Sequence, residues 1–424
     1  MAPAAQPLPE QRRKVLAWCC YDVANSGYTT LMITVFAVYM QRIVFDSETT
    51  GATGAVVWAW SVALSMLIGA IASPLVGAIA DGRGAKREGL AITALGGGIA
   101  CMIMAVLPAS QFILVTVCFV VANLCLELSL TFYNGFLAEI SDDAEVNRIS
   151  TMGMAWGYFG GGLALLLALL ALAFFPNESS PGSTLRVCVF GTGVWWILFS
   201  IPTIWVLDDR PRAEPKTGLT KTVGSSLADV WLTIKELRHH RTLAIFLVAF
   251  LFYNDGVQTV ISQSSTFAIR ELNFSNQNLA AVVLLVQFVA TPGAMFIGWL
   301  SDQFGRQRTL QICLVAWIVL LMLAWFVETQ FGYWLLSIGV ALVLGGTQSV
   351  SRAVMSSLTP EGKEARYFGF FNFSGKATSF MGTFYFGMII GLTQNARIAI
   401  VGLILFFSIG LVLLSSVRWN EESD

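Results

Sequence analysis

Twelve runs of 20 or more mostly apolar residues divide this 424-residue chain, and polar segments between them are nearly all short. A run of about 20 apolar residues is what an α-helix needs to cross a bilayer, because each backbone polar group must be satisfied inside its own segment. The runs predict helices over 15–43, 55–80, 89–108, 110–139, 150–175, 187–207, 242–268, 278–300, 309–328, 331–356, 367–391 and 397–417. Only 12% of the residues are charged, against about 25% in soluble domains. Mean hydropathy is +0.70, so the solvent for most of this surface has to be lipid.

Lys and Arg crowd one side of the expected membrane. Arg12, Arg13, Lys14, Arg83, Lys86, Arg87, Arg148, the 208–241 segment, Arg306, Arg308, Lys363, Arg366 and Arg418 fall there; Arg42, Arg186, Arg270 and Arg397 fall opposite. Such a bias marks the cytoplasmic side and predicts both termini there. The organisation expected is a tail over 1–14, six helices over 15–207, a cytoplasmic connection over 208–241, six helices over 242–417 and a tail over 418–424. Leu227, Val230, Trp231, Ile234 and Leu237 share a stripe, which predicts a short amphipathic helix on the membrane face. The start of the chain lacks a short apolar core with a cleavage site, so its first helix is read as retained. A bacterial plasma membrane is the expected location.

Several chemistries are disfavoured. The seven cysteines sit singly in apolar runs or, at Cys19 and Cys20, side by side without Cys-x-x-Cys spacing, and the two histidines share one polar loop. Metal sites need clustered ligands, so neither a metal nor any other cofactor is expected. No nucleophile–base pair suggests an enzyme. No Gly-rich loop ending in Lys and Ser/Thr suggests ATP-driven pumping. A net charge of −1, without a basic stripe, gives no reason to expect a nucleic-acid partner.

Two loops repeat. Gly77, Asp81 and Gly84 are followed by Lys86 and Arg87, with Arg83 between; Gly298, Asp302 and Gly305 are followed by Arg306 and Arg308. Each closes the second helix of its half. Gly allows close helix approach, and Asp can accept from a helix N-terminus or pair with Arg, so the loops read as conformational gates. Their arrangement resembles the hallmark loop of the major facilitator superfamily. That resemblance implies an all-α membrane fold of twelve helices in two pseudo-symmetric six-helix bundles, rocking about a central site.

A fainter repeat links helices 1 and 7: Asp22, Asn25 and Ser26 share the spacing of Asp255, Gln258 and Thr259. Each triplet lies on one helix stripe. An ionisable group in a membrane helix costs at least ~2.5 kcal/mol and marks a pathway or a pair. Here these groups are Asp22, Glu127, Asp255, Arg352 and Lys376. They fall on the helices that the resemblance assigns to the cavity and its flanks, none on helices 3, 6, 9 or 12. Tyr133, Asn134 and Gln348 lie beside them and complete the candidate site. Proton-linked transport is expected, with Asp22 or Glu127 as carrier and Arg352 as the anion-binding group. Gly153, Gly157 and Gly161 on helix 5 read as a packing face.

A narrower likeness comes from Tyr21-Asp22-Val23-Ala24-Asn25-Ser26, Phe132-Tyr133-Asn134-Gly135-Phe136-Leu137, Gly157-Tyr158-Phe159-Gly160-Gly161, Gly345-Gly346-Thr347-Gln348-Ser349-Val350-Ser351-Arg352, Phe368-Gly369-Phe370 and Ser374-Gly375-Lys376. In this order they resemble the autophagy-related vacuolar amino-acid effluxers and their bacterial relatives. The resemblance implies export of amino acids or similar small metabolites; the leftover buried carboxylate adds a proton or sodium ion as the expected coupling partner, and a monomer is expected. Arg366-Tyr367-Phe368-Gly369 stands where relatives carry Glu-Phe-Phe-Gly. Thr383 and Ala138 stand where Pro is common, and a missing Pro changes a kink. A cation-coupled sugar symporter and a transporter-like solute receptor are the competing readings.

Overall fold

The computed structural model describes residues 9–45, 53–175, 182–209, 235, 240–274, 276–377 and 379–416. These are helical almost throughout. In chain order the helices are α1 (Pro9–Leu31, continued through π-helical turns to Val44), α2 (Thr53–Arg83), α3 (Lys86–Val106), α4 (Phe112–Ile140), α5 (Val146–Phe174), α6 (Ser183–Val206), α7 (Arg241–Leu272), α8 (Asn276–Phe304), α9 (Arg306–Trp325) and α10 (Gln330–Leu358). Next come α11, described in two segments (Glu364–Ala377 and Ser379–Thr393), and α12, also in two (Ala396–Val401 and Ile404–Ser415).

Among the described residues, 11 helices are long and apolar enough to cross a membrane. The second segment of α11 is apolar but shorter, and α11 fills the twelfth place. The expected amphipathic helix carrying Leu227 to Leu237 lies, apart from Lys235, outside the described residues, as do both tail ends.

Helix α1 begins at Pro9, six residues ahead of the expected start. Proline fits the first position of a helix because the N–H it lacks would have no intrahelical partner there. Glu10 sits in the first turn, favoured by the helix dipole, and its carboxylate meets Lys14 Nζ at 2.8 Å. Periodic hydropathy marks the part of a helix in lipid and misses such a polar extension.

Helices α1–α6 share one buried core around Trp18, Tyr28, Phe119 and Trp196, and α7–α12 another around Tyr253, Trp317, Tyr333 and Phe407. We call the face carrying the start of α1 and the ends of α2 and α8 the basic face. Both repeated loops turn there on a glycine with positive φ, Gly84 at 59° and Gly305 at 80°, a conformation open to residues without Cβ.

Small residues let the halves meet. Gly298 of α8 rests on Thr151 of α5, and Gly369 of α11 lies on the α2 backbone at Ser73 and Pro74. Helix α5 packs along α8, and α2 packs along the first segment of α11 but departs from the second. Among the described residues, α1 and α7 make no extended contact. These contacts clasp the halves at the basic face.

A Cβ at position 369 would lie 2.6 Å from the Ser73 carbonyl oxygen and 2.7 Å from Pro74 Cα. Replacing Gly369 with Val should destabilise this arrangement by about 1–3 kcal/mol, the usual cost of overpacking. Cysteine labelling from the basic face should rise in the variant; unchanged labelling would show that the contact does not hold that face shut.

Candidate functional site

The site is built on α1, where Trp18, Asp22, Asn25 and Ser26 follow one stripe. Helix α5 lies directly against that stripe because Gly153, Gly157 and Gly160 leave no side chain in the way: a Cβ at 157 would meet Ser26 Oγ at 2.8 Å, and one at 160 would meet Val23 Cγ1 at 2.6 Å. Of the expected glycine face, Gly153 and Gly157 lie on α1 as read, Gly161 meets Thr30 of α1 and Gln287 of α8, and Gly160 joins them; the consequence is positional. With α5 so close, α10 on its other side reaches α1.

Arg352 of α10 makes that reach. Its Nη1 lies 3.1 Å from Asp22 Oδ2 and its Nη2 3.2 Å from the same oxygen, while Nη1 also approaches Oδ1 at 3.4 Å. The remaining donors are taken by α5: Nε donates to Ser150 Oγ at 3.0 Å and Nη2 to the Ser150 carbonyl at 2.7 Å. The guanidinium stands 4.7 Å from the Trp18 ring and 5.7 Å from the Tyr133 ring, and those rings stack on each other at 4.6 Å. Trp18 is fixed by its Nε1–H, which donates to the Tyr133 carbonyl at 2.9 Å. Asn25 Nδ2 donates to Asp22 Oδ1 at 3.3 Å. Both charged side chains are less than a tenth exposed. A guanidinium suits this place because its planar fork spreads five donors over carboxylate, hydroxyl and carbonyl while its face stacks on rings.

A second charged group seals the basic face. Asp81 Oδ1 accepts the Ala365 N–H at 3.1 Å and Oδ2 the Arg366 N–H at 2.7 Å, so the first repeated loop caps the N-terminus of α11. Lys86 Nζ lies 3.4 Å from Asp81, 2.8 Å from Glu364 and in contact with Glu139. The second loop is built differently. Asp302 is exposed and accepts from Asn147 Nδ2 at 2.7 Å, and Arg306 pairs with Asp143 at 2.9 Å. Of the other expected gating residues, Gly77 lies on the backbone of Ala365 and Arg366. Arg87 pairs with Asp208 inside its own half, Arg308 is exposed, and Arg83 is half-buried.

Deeper in, Tyr158 donates to Gln348 Oε1 at 2.9 Å, Asn372 Nδ2 to Thr131 Oγ1 at 3.0 Å, and Gln287 Nε2 to Thr30 Oγ1 at 2.5 Å. Each bond joins the two halves. Glu127 is buried on α4 with Gly69 of α2 against it. Asp255 is buried on α7, one turn below Thr259, and Gln258 is half-buried beside it. Asn134 is buried on α4 near the Asp81 clasp. Lys376 falls in the first segment of α11, but its side chain lies outside the described residues. The structure therefore joins Asp22, Asn25, Tyr133 and Arg352 in one cluster and leaves Asp255 in another.

Sequence reasoning passed over Glu139, Glu364, Trp18 and Ser150, and took Lys86 only as a basic residue of the first repeated loop. Lys86 carried a signal, since it repeats the basic position after the loop glycine. Glu364 and Ser150 carried none, because their roles arise only where the halves meet.

Removing one partner of a buried ion pair strands the other charge, typically at a cost of 3–5 kcal/mol, roughly. Replacing Asp22 with Asn, or Arg352 with Gln, should each lower the melting temperature in detergent, and the double variant should recover most of the loss. Additive losses in the double variant would mean that the two charges are not coupled.

A family model described as "Vacuole effluxer Atg22 like" matches residues 52–146 and 138–423. The chain is 28% identical over 412 residues to the uncharacterized MFS-type transporter YxiO of Bacillus subtilis, covering 96% of this chain and 95% of that protein. It is 28% identical over 312 residues to autophagy-related protein 22 of Kluyveromyces lactis, covering 69% of this chain and 62% of that longer protein. Among solved structures, the human organic anion transporter MFSD10 (TETRAN) superposes with a TM-score of 0.76 at 14% identity, over 96% of this chain and 100% of that one. The twelve-helix major facilitator fold follows from that likeness.

Proposed function

Because the chain belongs to the Atg22-like vacuole effluxer family of major facilitator transporters, we propose that it carries a small polar solute, amino acids first, by alternating access coupled to protons. The transporter class fixes the kind of event; the residues suggest the cargo. The observation that carries the reading is the buried Asp22–Arg352 pair, which binds one half to the other. Such a pair has to separate when the basic face opens, and it then offers a carboxylate and a guanidinium about a side chain's length apart. Opposite charges at that spacing suit a zwitterion, with Arg352 receiving a carboxylate and Asp22 an ammonium group.

In the conformation described, Arg352 is committed to Asp22, so its expected anion-binding role belongs to the other state. Asn25, Ser26, Tyr133, Asn134, Gln258, Gln348 and Glu127 supply polar and charged groups around the same path, and Lys376, whose side chain lies outside the described residues, keeps its place in the reading by sequence alone. The bundles expected over 15–207 and 242–417 act as the rocking units, and the Asp81–Lys86–Glu364 cluster with Asn147 and Arg306 forms the gate. The basic face is read as cytoplasmic by the bias of Lys and Arg, the membrane as a bacterial plasma membrane, and the working unit as a monomer.

Uptake of a radiolabelled amino-acid mixture into proteoliposomes, with and without an imposed pH gradient, tests this directly. Gradient-driven accumulation that collapses on adding a protonophore is the expected result. Uptake of a sugar mixture in its place, unaffected by amino acids, would overturn the substrate class.

A further inference from the structure

Asp22 on α1 and Asp255 on α7 hold matching places in the two halves, yet the structure uses them differently. The Asp22 carboxylate is saturated by Arg352 and Asn25. Asp255 is 1% exposed, as is Thr259 one turn along the same stripe. Oδ2 of Asp255 accepts the backbone N–H of Gly382 in the second segment of α11 at 2.8 Å. Its Oδ1 and the Thr259 hydroxyl are both shut off from solvent and have no hydrogen-bond partner. Gly382 presses on both residues: a Cβ there would lie 3.3 Å from Asp255 Oδ2 and collide with Thr259 Oγ1.

No described charged side chain balances this carboxylate. On α7 itself, Arg241, Arg270 and Glu271 stand at the helix ends. From α10, Arg352 is held by Asp22. On α11, Glu364 and Arg366 sit at the basic face, where Glu364 is held by Lys86 and Arg366 follows it in the first turn; the Lys376 side chain lies outside the described residues. Helix α12 presents no charge along Ile404–Ser415. A buried carboxylate with a single N–H donor neutralises itself rather than stay charged. Once protonated it gains one O–H donor, and the orphaned Thr259 oxygen is an acceptor on the same stripe. A sodium ion would need several more oxygens than these two.

We propose that Asp255 is the proton-carrying residue of this transporter, that its Oδ1–H turns to reach Thr259 Oγ1, which it does not bond in the conformation described, and that Gly382 closes the site. The proposal rests on the proton-coupled reading above and names its carrier. The step is a plain protonation: water at the open face gives a proton to Oδ1, the acid is occluded between α7 and α11, and the proton leaves to water at the other face. Asp22 then serves as latch to Arg352, and the two matched carboxylates divide latch from carrier.

Infrared difference spectroscopy on the full protein, reconstituted in lipid, reads the proton without any substrate. The carboxylic-acid C=O band present at neutral pH should vanish in Asp255→Asn and persist in Asp22→Asn. In Thr259→Val, which keeps the carboxyl but removes its acceptor, the band should shift in frequency. Asn is isosteric with the protonated acid and can donate to Thr259, so the variant should fold; size-exclusion chromatography checks this. An acid band unchanged by Asp255→Asn, or one that responds to sodium at fixed pH, would overturn the proposal. In proteoliposomes loaded with the labelled amino-acid mixture, Asp255→Asn should keep counterflow and lose gradient-driven accumulation. Accumulation at the wild-type level in that variant sinks the proton site alone. A lost infrared band with no amino-acid transport in either protein sinks the substrate class and leaves the proton site standing.

Discussion

The closed basic face turns on the buried pair of Arg352 and Asp22, with the Lys86–Glu364 pair as its second tie. Arg352 and Asp22 come from different halves, and taking either charge out of water is unfavourable unless every donor and lone pair finds a partner. The surroundings meet that demand: Ser150 accepts two of the guanidinium N–H groups, Trp18 and Tyr133 cover its face, and Asn25 donates to the carboxylate. None of these side chains could do so unless α5 lay flat on α1, which its glycines permit. The pair therefore fixes the relation of three helices, and through them of two bundles.

The repeat in the sequence is nearly symmetric, but its structure is not. The Asp81 loop caps the buried N-terminus of α11 and recruits Lys86, while the Asp302 loop lies exposed and is tied by Asn147 and Arg306. Capping by Asp81 places a carboxylate where the α11 dipole is positive, so the first loop is bound more firmly than the second. Asp22 and Asp255 divide in the same manner. A duplicated motif gives each half the same residue, and the partner that happens to face it decides what that residue does.

Much of this was legible beforehand. Hydropathy located the helices to within a few residues, because lipid imposes a minimum length and forbids charge. The paired loops indicated two halves, and the buried charges Asp22 and Arg352 marked two of the helices that meet in the candidate cluster. Helix α1 was read too short at its start, since the turn from Pro9 to Lys14 lies in water and is held by an i,i+4 pair. Lys86 was read only as a loop cation because a basic residue after a loop glycine reads the same whether it is solvated or surrounded by three carboxylates.

The sequence by itself determined which segments cross the membrane and which side chains must be shielded within it. Those follow from local composition, since a stretch of chain meets the same lipid wherever it packs. Only the tertiary structure decided that Arg352 answers Asp22 and not Asp255, that Glu364 closes on Lys86, and that Asp255 Oδ1 and Thr259 Oγ1 are each left without a partner. Pairings of that kind depend on which helix lies beside which and in what register. Glycine contacts between distant helices set that register, and no periodicity along the chain records it.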